Sequence, residues 1–138
     1  MNFFVKKKQY IGQLELLAAV IPYYSMPELF AGRKVLHFID NTAAVAGLTK
    51  GYSARVDSAR IVHAFHAFNV GLTAEVWFEW VASKANIADW PSRGEFTYLE
   101  NVLRAEPVDT ILPPLYSWRA ASAEWCLRGR AHVARAGR

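Results

Sequence analysis

Lys34-Val-Leu-His-Phe-Ile-Asp40, followed at once by Asn41-Thr42-Ala-Ala-Val-Ala-Gly-Leu48, is the stretch on which the fold turns. The first seven residues form a short apolar run with β-branched and aromatic members that stops on an acid. A buried, largely parallel strand reads this way. Asn41-Thr42 can cap a helix, and the small apolar residues behind them continue one. Lys50-Gly51-Tyr52 makes a turn, and a second helix runs from Ser53 to about Asn69. Val56, Ala59, Arg60, Val62, His63, Phe65 and His66 lie along it, with Gly71 near its end. Glu75-Val-Trp-Phe-Glu-Trp-Val81 is rich in strand formers and is expected to be the next strand. Two strands joined through helices imply a parallel pair with a crossover.

Upstream, Gly12 to Ser25 is expected to be helical from the spacing of Leu14, Leu17, Ala18 and Ile21, with Pro22 disturbing the last turn. Residues 2–11 read as a strand with a mixed face, and Pro27 and Gly32 mark a loop. Downstream, Ser83 to Gly94 is a loop or short helix, and the last third carries Pro107, Pro113 and Pro114 and a helix expected over Ser117 to Arg128. The expected class is therefore α/β. Three strands are few for a free-standing sheet.

The whole chain suits one domain of ordinary composition: 138 residues, 53% hydrophobic, 20% charged and 14% aromatic with five Trp. That aromatic content argues for a packed core over disorder. Trp77, Trp80 and Trp90 are accordingly read as core residues. No apolar run approaches the roughly 18 residues of a membrane span. Lys6-Lys7-Lys8 precede an amphipathic segment carrying Glu15, unlike a signal peptide. The single Cys126 excludes an internal disulfide and a cysteine-rich zinc site. An intracellular protein is expected, with nucleus and cytoplasm both open. Residues 1–116 balance 11 Lys/Arg against 11 Asp/Glu, whereas residues 117–138 hold Arg119, Arg128, Arg130, Arg135 and Arg138 against Glu124 alone. A basic end suits polyanion contact, and equally suits a solvated tail.

Three acids stand out by position. Glu15 is expected in the first turn of a helix, within Gln13-Leu-Glu-Leu-Leu-Ala-Ala19. Asp40 closes a buried strand, at the sheet edge where ligands of open α/β folds bind. Asp89 follows the next strand, in Asn86-Ile-Ala-Asp-Trp-Pro-Ser-Arg93. A crossover can bring all three to one end. Clustered carboxylates repel, and hard cations such as Mg²⁺ or Mn²⁺ supply the missing counter-charge. Two such ions roughly 3.5–4 Å apart serve phosphodiester hydrolysis. Each acid also has a plain structural reading: Glu15 as a partner of the helix dipole, Asp40 and Asp89 as turn residues.

These segments resemble the ribonuclease H domain of retroelement reverse transcriptases, particularly the tyrosine-recombinase retrotransposon type. The helix around Glu15 resembles that family's second-carboxylate helix. Phe38 to Gly51 resembles its third-carboxylate strand with the helix that follows. Trp80-Val-Ala-Ser83-Lys-Ala-Asn86-Ile-Ala-Asp89-Trp-Pro-Ser-Arg93 resembles its closing segment. Order and spacing agree across roughly residues 3–94.

The resemblance implies a ribonuclease H-like mixed sheet with flanking helices, lacking its first two strands. Residues 1–94 would form the partial core, and residues 95–138 a C-terminal extension with a basic tail. It further implies that Glu15, Asp40 and Asp89 hold two Mg²⁺ (or Mn²⁺) ions and cut the RNA strand of RNA/DNA hybrids. Asn41, Lys50, Ser83, Asn86 and Arg93 would support the site or touch nucleic acid, read through 2′-hydroxyls and phosphates. Lys84 is better read as an ordinary surface charge. A polymerase domain would stand upstream in a full-length element. The family's first catalytic Asp has no counterpart, because no Asp or Glu precedes Glu15. Either the missing strands lie upstream of Met1, or the chain is a decayed copy with impaired catalysis. The alternative function is an inactive nucleic-acid-binding or remnant domain. His63 and His66 fall on the second helix, where packing is the expected role.

Overall fold

The computed structural model describes residues 7–136, without the side chains of residues 7–11, 92, 115 and 136. Helix α1 (Lys7–Ser25) leads to strand β1 (Lys34–Ile39), and helices α2 (Thr42–Lys50) and α3 (Val56–Leu72) carry the chain over to strand β2 (Glu75–Trp80). Short turns, a brief helix α4 (Thr97–Asn101) and an extended stretch precede the terminal helix α5 (Ser122–Ala136). The strands pair in parallel with Lys34 opposite Glu75 and Ile39 opposite Trp80, so the expected α/β crossover is present. None of the described helices is long and apolar enough to cross a membrane.

Local chemistry accounts for the elements. Asn41 Oδ1 accepts from the Ala44 N–H at 2.9 Å and caps α2. Gly51 stops that helix in the left-handed region at φ 79°, where a side chain would be strained. Pro22 does not end α1, because Met26 N–H still reaches its carbonyl at 2.9 Å.

Two expectations about α1 need correcting. Residues 7–11 are helical, not extended; residues 2–6 of the expected strand lie outside the described residues. The sheet therefore has two strands among the described residues, where three were expected. The buried stripe of α1 is Leu16, Ala19, Val20, Tyr23 and Tyr24, while Leu14 is 63% exposed. The helix is apolar nearly all round, so its spacing fits several faces, and packing on α3 picks one.

Adjacent tyrosines on α1 serve two clusters. Tyr23 meets Phe30, His37 and Phe65, and Phe65 reaches Phe78 on β2, which closes the layer between helices and sheet. Tyr24 meets Phe68, Trp118 and Trp125, which closes the layer between α3 and α5. Trp125 is 1% exposed and carries the Arg128 guanidinium 4.9 Å from its ring centre. It is thus the core tryptophan. Trp77 and Trp80 are exposed, against expectation. Alternation points Trp77 away from the helices together with Leu36 and Phe38, and no described residue covers that face of the sheet.

The basic C-terminal segment docks on the body by backbone approach. A Cβ on Gly71 would come within 1.9 Å of the Cys126 carbonyl oxygen, and one on Gly129 within 2.0 Å of that of Phe68. The crossing tolerates only hydrogen at both positions. Helix propensity alone would have Gly129→Ala stabilise α5 by about 1 kcal/mol. We expect the opposite sign: Gly129→Ala or Gly71→Ala should cost about 1–3 kcal/mol, as overpacking does. The urea unfolding midpoint measures it, and a raised midpoint for either variant would refute the crossing.

Candidate metal and nucleic-acid site

The parallel pair ends at Ile39 and Trp80, with Asp40 and Val81 next in the chain and the Val81 N–H bonded to the Ile39 carbonyl at 3.0 Å. Asp40 is therefore placed at the C-terminal edge by strand register. Trp80 Nε1 donates to the Asp40 carbonyl at 3.2 Å and holds that corner. Beyond β2 the chain folds into three successive tight turns, Ser83–Ala85, Ile87–Asp89 and Pro91–Arg93. Asn86 Oδ1 accepts from the Ala88 N–H at 3.1 Å, a side-chain cap that bends the chain back. Asp89 is returned to the same pocket as Asp40, where the two carboxyls interact.

Glu15 arrives from α1. The Asn41 side chain that caps α2 through its oxygen donates through Nδ2 to the Glu15 carboxylate. One asparagine thus joins the start of α2 to the acid of α1. The result is an open pocket of about 660 Å³ whose walls include Glu15, Asp40, Asn41, Ser83, Asn86, Asp89 and Arg93. Seven residues singled out in the sequence share it. Lys50 does not; it is exposed at the far end of α2. Lys84 is exposed on the first tight turn.

Electrostatics single out the Asp40–Asp89 pair. The Asp89 carboxyl is held above its ordinary pKa chiefly by hydrogen bonding that lets its protonated form donate to Asp40, then by desolvation and the Asp40 charge. Arg93 opposes that shift, and Glu15 adds a little to it. A carboxyl whose pKa is raised by its neighbour marks a place short of positive charge. Among the described residues, no three His, Cys, Asp or Glu side chains gather closely enough to hold an ion by themselves. The donors still suit Mg²⁺ in chemistry, since it takes one or two carboxylates and completes its shell with water and substrate phosphate. Asp40 and Asp89 are such a pair, with Glu15 held nearby through Asn41.

His37 also lines the pocket and was not picked out in the sequence. Counting back in twos from buried Ile39 would have found it. Its Nδ1 lies 2.9 Å from the Tyr23 hydroxyl, and its ring sits between Tyr23 and Phe78. The helix histidines bond instead to structure: His66 Nε2 to the Leu48 carbonyl at 2.7 Å, and His63 Nε2 to Ser122 Oγ at 2.7 Å. The chain matches no family model, no curated protein and no solved structure.

Burial pushes the His37 pKa down, so the folded protein keeps this ring neutral while the unfolded chain takes up a proton near pH 6.5. The unfolded state then binds more protons, and stability falls as pH drops below about 6.5. The urea midpoint should decline between pH 7.5 and 5.5 and decline less steeply in His37→Gln. His132, whose pKa burial also lowers, leaves some slope in the variant. Equal slopes for both proteins would exclude His37 as a source.

Proposed function

We propose that this chain is the ribonuclease H-like domain of a retroelement reverse transcriptase of the tyrosine-recombinase retrotransposon type. Its reaction would be endonuclease hydrolysis of the RNA strand in RNA/DNA hybrids. The observation that carries the reading is the convergence of Glu15, Asp40 and Asp89, from three separate segments, on one pocket at the C-terminal edge of a parallel sheet. Magnesium, when bound, would supply the counter-charge and the Lewis acidity that phosphodiester hydrolysis needs. Asp40 and Asp89 would hold it, and Asn41 keeps the Glu15 carboxylate facing the same space. Arg93 offers a planar fork to a phosphate. Ser83 and Asn86 present hydroxyl and amide groups of the kind that meet 2′-hydroxyls.

No Asp or Glu precedes Glu15, so a fourth carboxylate is not supplied from that side of the site by these 138 residues. We therefore expect little or no cleavage of a labelled RNA/DNA hybrid by residues 1–138 in Mg²⁺ or Mn²⁺. An in-frame extension encoding strand, Asp and strand should restore it. Robust cleavage by the short chain, abolished by Asp40→Asn, would overturn the expected impairment.

Metal binding can be read without activity. At ten times its dissociation constant, Mn²⁺ should raise wild-type stability by about 1.4 kcal/mol. Asp40→Asn/Asp89→Asn should lose that gain while being no less stable than wild type in metal-free buffer, because the variant no longer crowds two acids. A Mn²⁺ response unchanged in the double variant would remove the pair from the site.

A second reading, a nucleic-acid-binding domain without catalysis, is favoured by exposed Arg119, Arg130 and Arg135 on a segment whose one acid is Glu124. It is distinguished by hybrid binding that weakens steeply with salt and brings no cleavage in the extended chain.

A further inference from the structure

The chain between α4 and α5 contains Leu112-Pro113-Pro114-Leu115-Tyr116, which takes no part in the pocket described above. It is fastened on both sides. At Ile111 the backbone N–H donates to Ser25 Oγ at 2.9 Å, and that hydroxyl donates back to the Ile111 carbonyl at 3.3 Å. At Ser117, 1% exposed, the N–H bonds to the Pro114 carbonyl at 2.8 Å and Oγ accepts from Arg128 at 3.2 Å. Trp118 then packs on Tyr24 and Trp125.

Between these anchors the strap is offered to solvent. Pro114 has φ −56° and ψ 147°, polyproline II geometry, and is exposed. A short helical turn, Leu115–Arg119, follows at once. It carries Tyr116, which at 78% is the most exposed large apolar side chain among the described residues. The Tyr116 ring stands in water beside two prolines, whereas Trp118 packs partly and Trp125 fully against the core nearby.

We propose that Pro113-Pro114-Leu115-Tyr116 is a docking strap for a small protein module of the WW class. Such modules bind polyproline II segments in a groove of stacked aromatic side chains. Proline rings enter the groove, and the Tyr116 ring fills an adjoining apolar pocket. Modules that read Pro-x-x-Pro do not fit, since none of the six prolines has another proline three residues on. The two anchors fix the ends of the strap and Pro114 already has polyproline II angles, so less ordering cost remains at docking.

The test uses the full chain and, as probe, a purified WW-class domain selective for Pro-Pro-x-Tyr, followed by fluorescence anisotropy. Saturable binding is expected, weakened about 30-fold or more by Tyr116→Ala or by Pro114→Ala, as for central interface anchors. Leu112→Ala should bind as wild type. Circular dichroism and the urea midpoint of Tyr116→Ala should match wild type, because the ring packs on solvent. A peptide of residues 109–118 should bind more weakly than the folded chain. No binding by the folded chain, binding that survives Tyr116→Ala, or tighter binding by the peptide alone would each overturn the proposal.

Discussion

Helix α3 is the member from which every other element takes its position. Val62, Ala64, Phe65, Ala67, Phe68, Gly71 and Leu72 are all buried along it, so three of its sides are covered at once. Phe65 faces Tyr23 of α1 and Phe78 of β2, while Phe68 and Gly71 face α5. A two-stranded parallel sheet has little stability of its own, and here the crossover helix that links the strands also packs one face of them. The α5 contact at Gly71 and Gly129 completes the sandwich. The C-terminal helix is thereby part of the body, and its arginines are presented from a fixed frame.

That rigidity is what permits the carboxylates to stand together. Like charges separate unless the backbone holds them, and each acid here is held differently. Asp40 is fixed by strand register and by Trp80, Asp89 by the Asn86-capped turns, Glu15 by Asn41. Asn41 matters most, since one side chain both starts α2 and orients an acid from α1. Its loss would loosen a helix start and the pocket together. The raised pKa of Asp89 reflects the Asp40 carboxyl set beside it.

Much of this was legible in the sequence, and the failures have physical causes. The strand and helix from Lys34 to Leu48 could be read because an apolar run, a terminal acid and a capping asparagine agree there, but not the strand's burial, since Leu36 and Phe38 are exposed. Asp40 and Asp89 could be placed at one sheet edge because they follow strand ends, whereas Glu15 reaches the pocket from α1. The phase of α1 could not, since Leu14, Leu16, Leu17 and Val20 are equally apolar and only the partner selects among them. The aromatic content reads Trp77 and Trp80 as core, whereas alternation turns Trp77 to the uncovered face and Trp80 ends its strand at the open edge, its Nε1 bonded to the Asp40 carbonyl. The expected helix over Ser117 to Arg128 begins early and stops short of the observed Ser122–Ala136. Gly129 reads locally as a helix breaker, and its reason, the backbone of α3, lies far away in sequence.

Two binding places on one small body, as proposed, must not obstruct each other. Glu15 marks the pocket and Ser25 marks the strap anchor, both on α1. Ten residues of helix separate them, about 15 Å along the axis at 1.5 Å per residue. A hybrid duplex lying on the C-terminal edge of the sheet would approach the first half of α1, while a module on Tyr116 would approach past its other end. Helix α1 is tied to α3 through Tyr23 and to α5 through Tyr24, so the two ends move as one piece. A partner held at the strap would therefore be carried at a set distance from the pocket, tethered to the site without covering it.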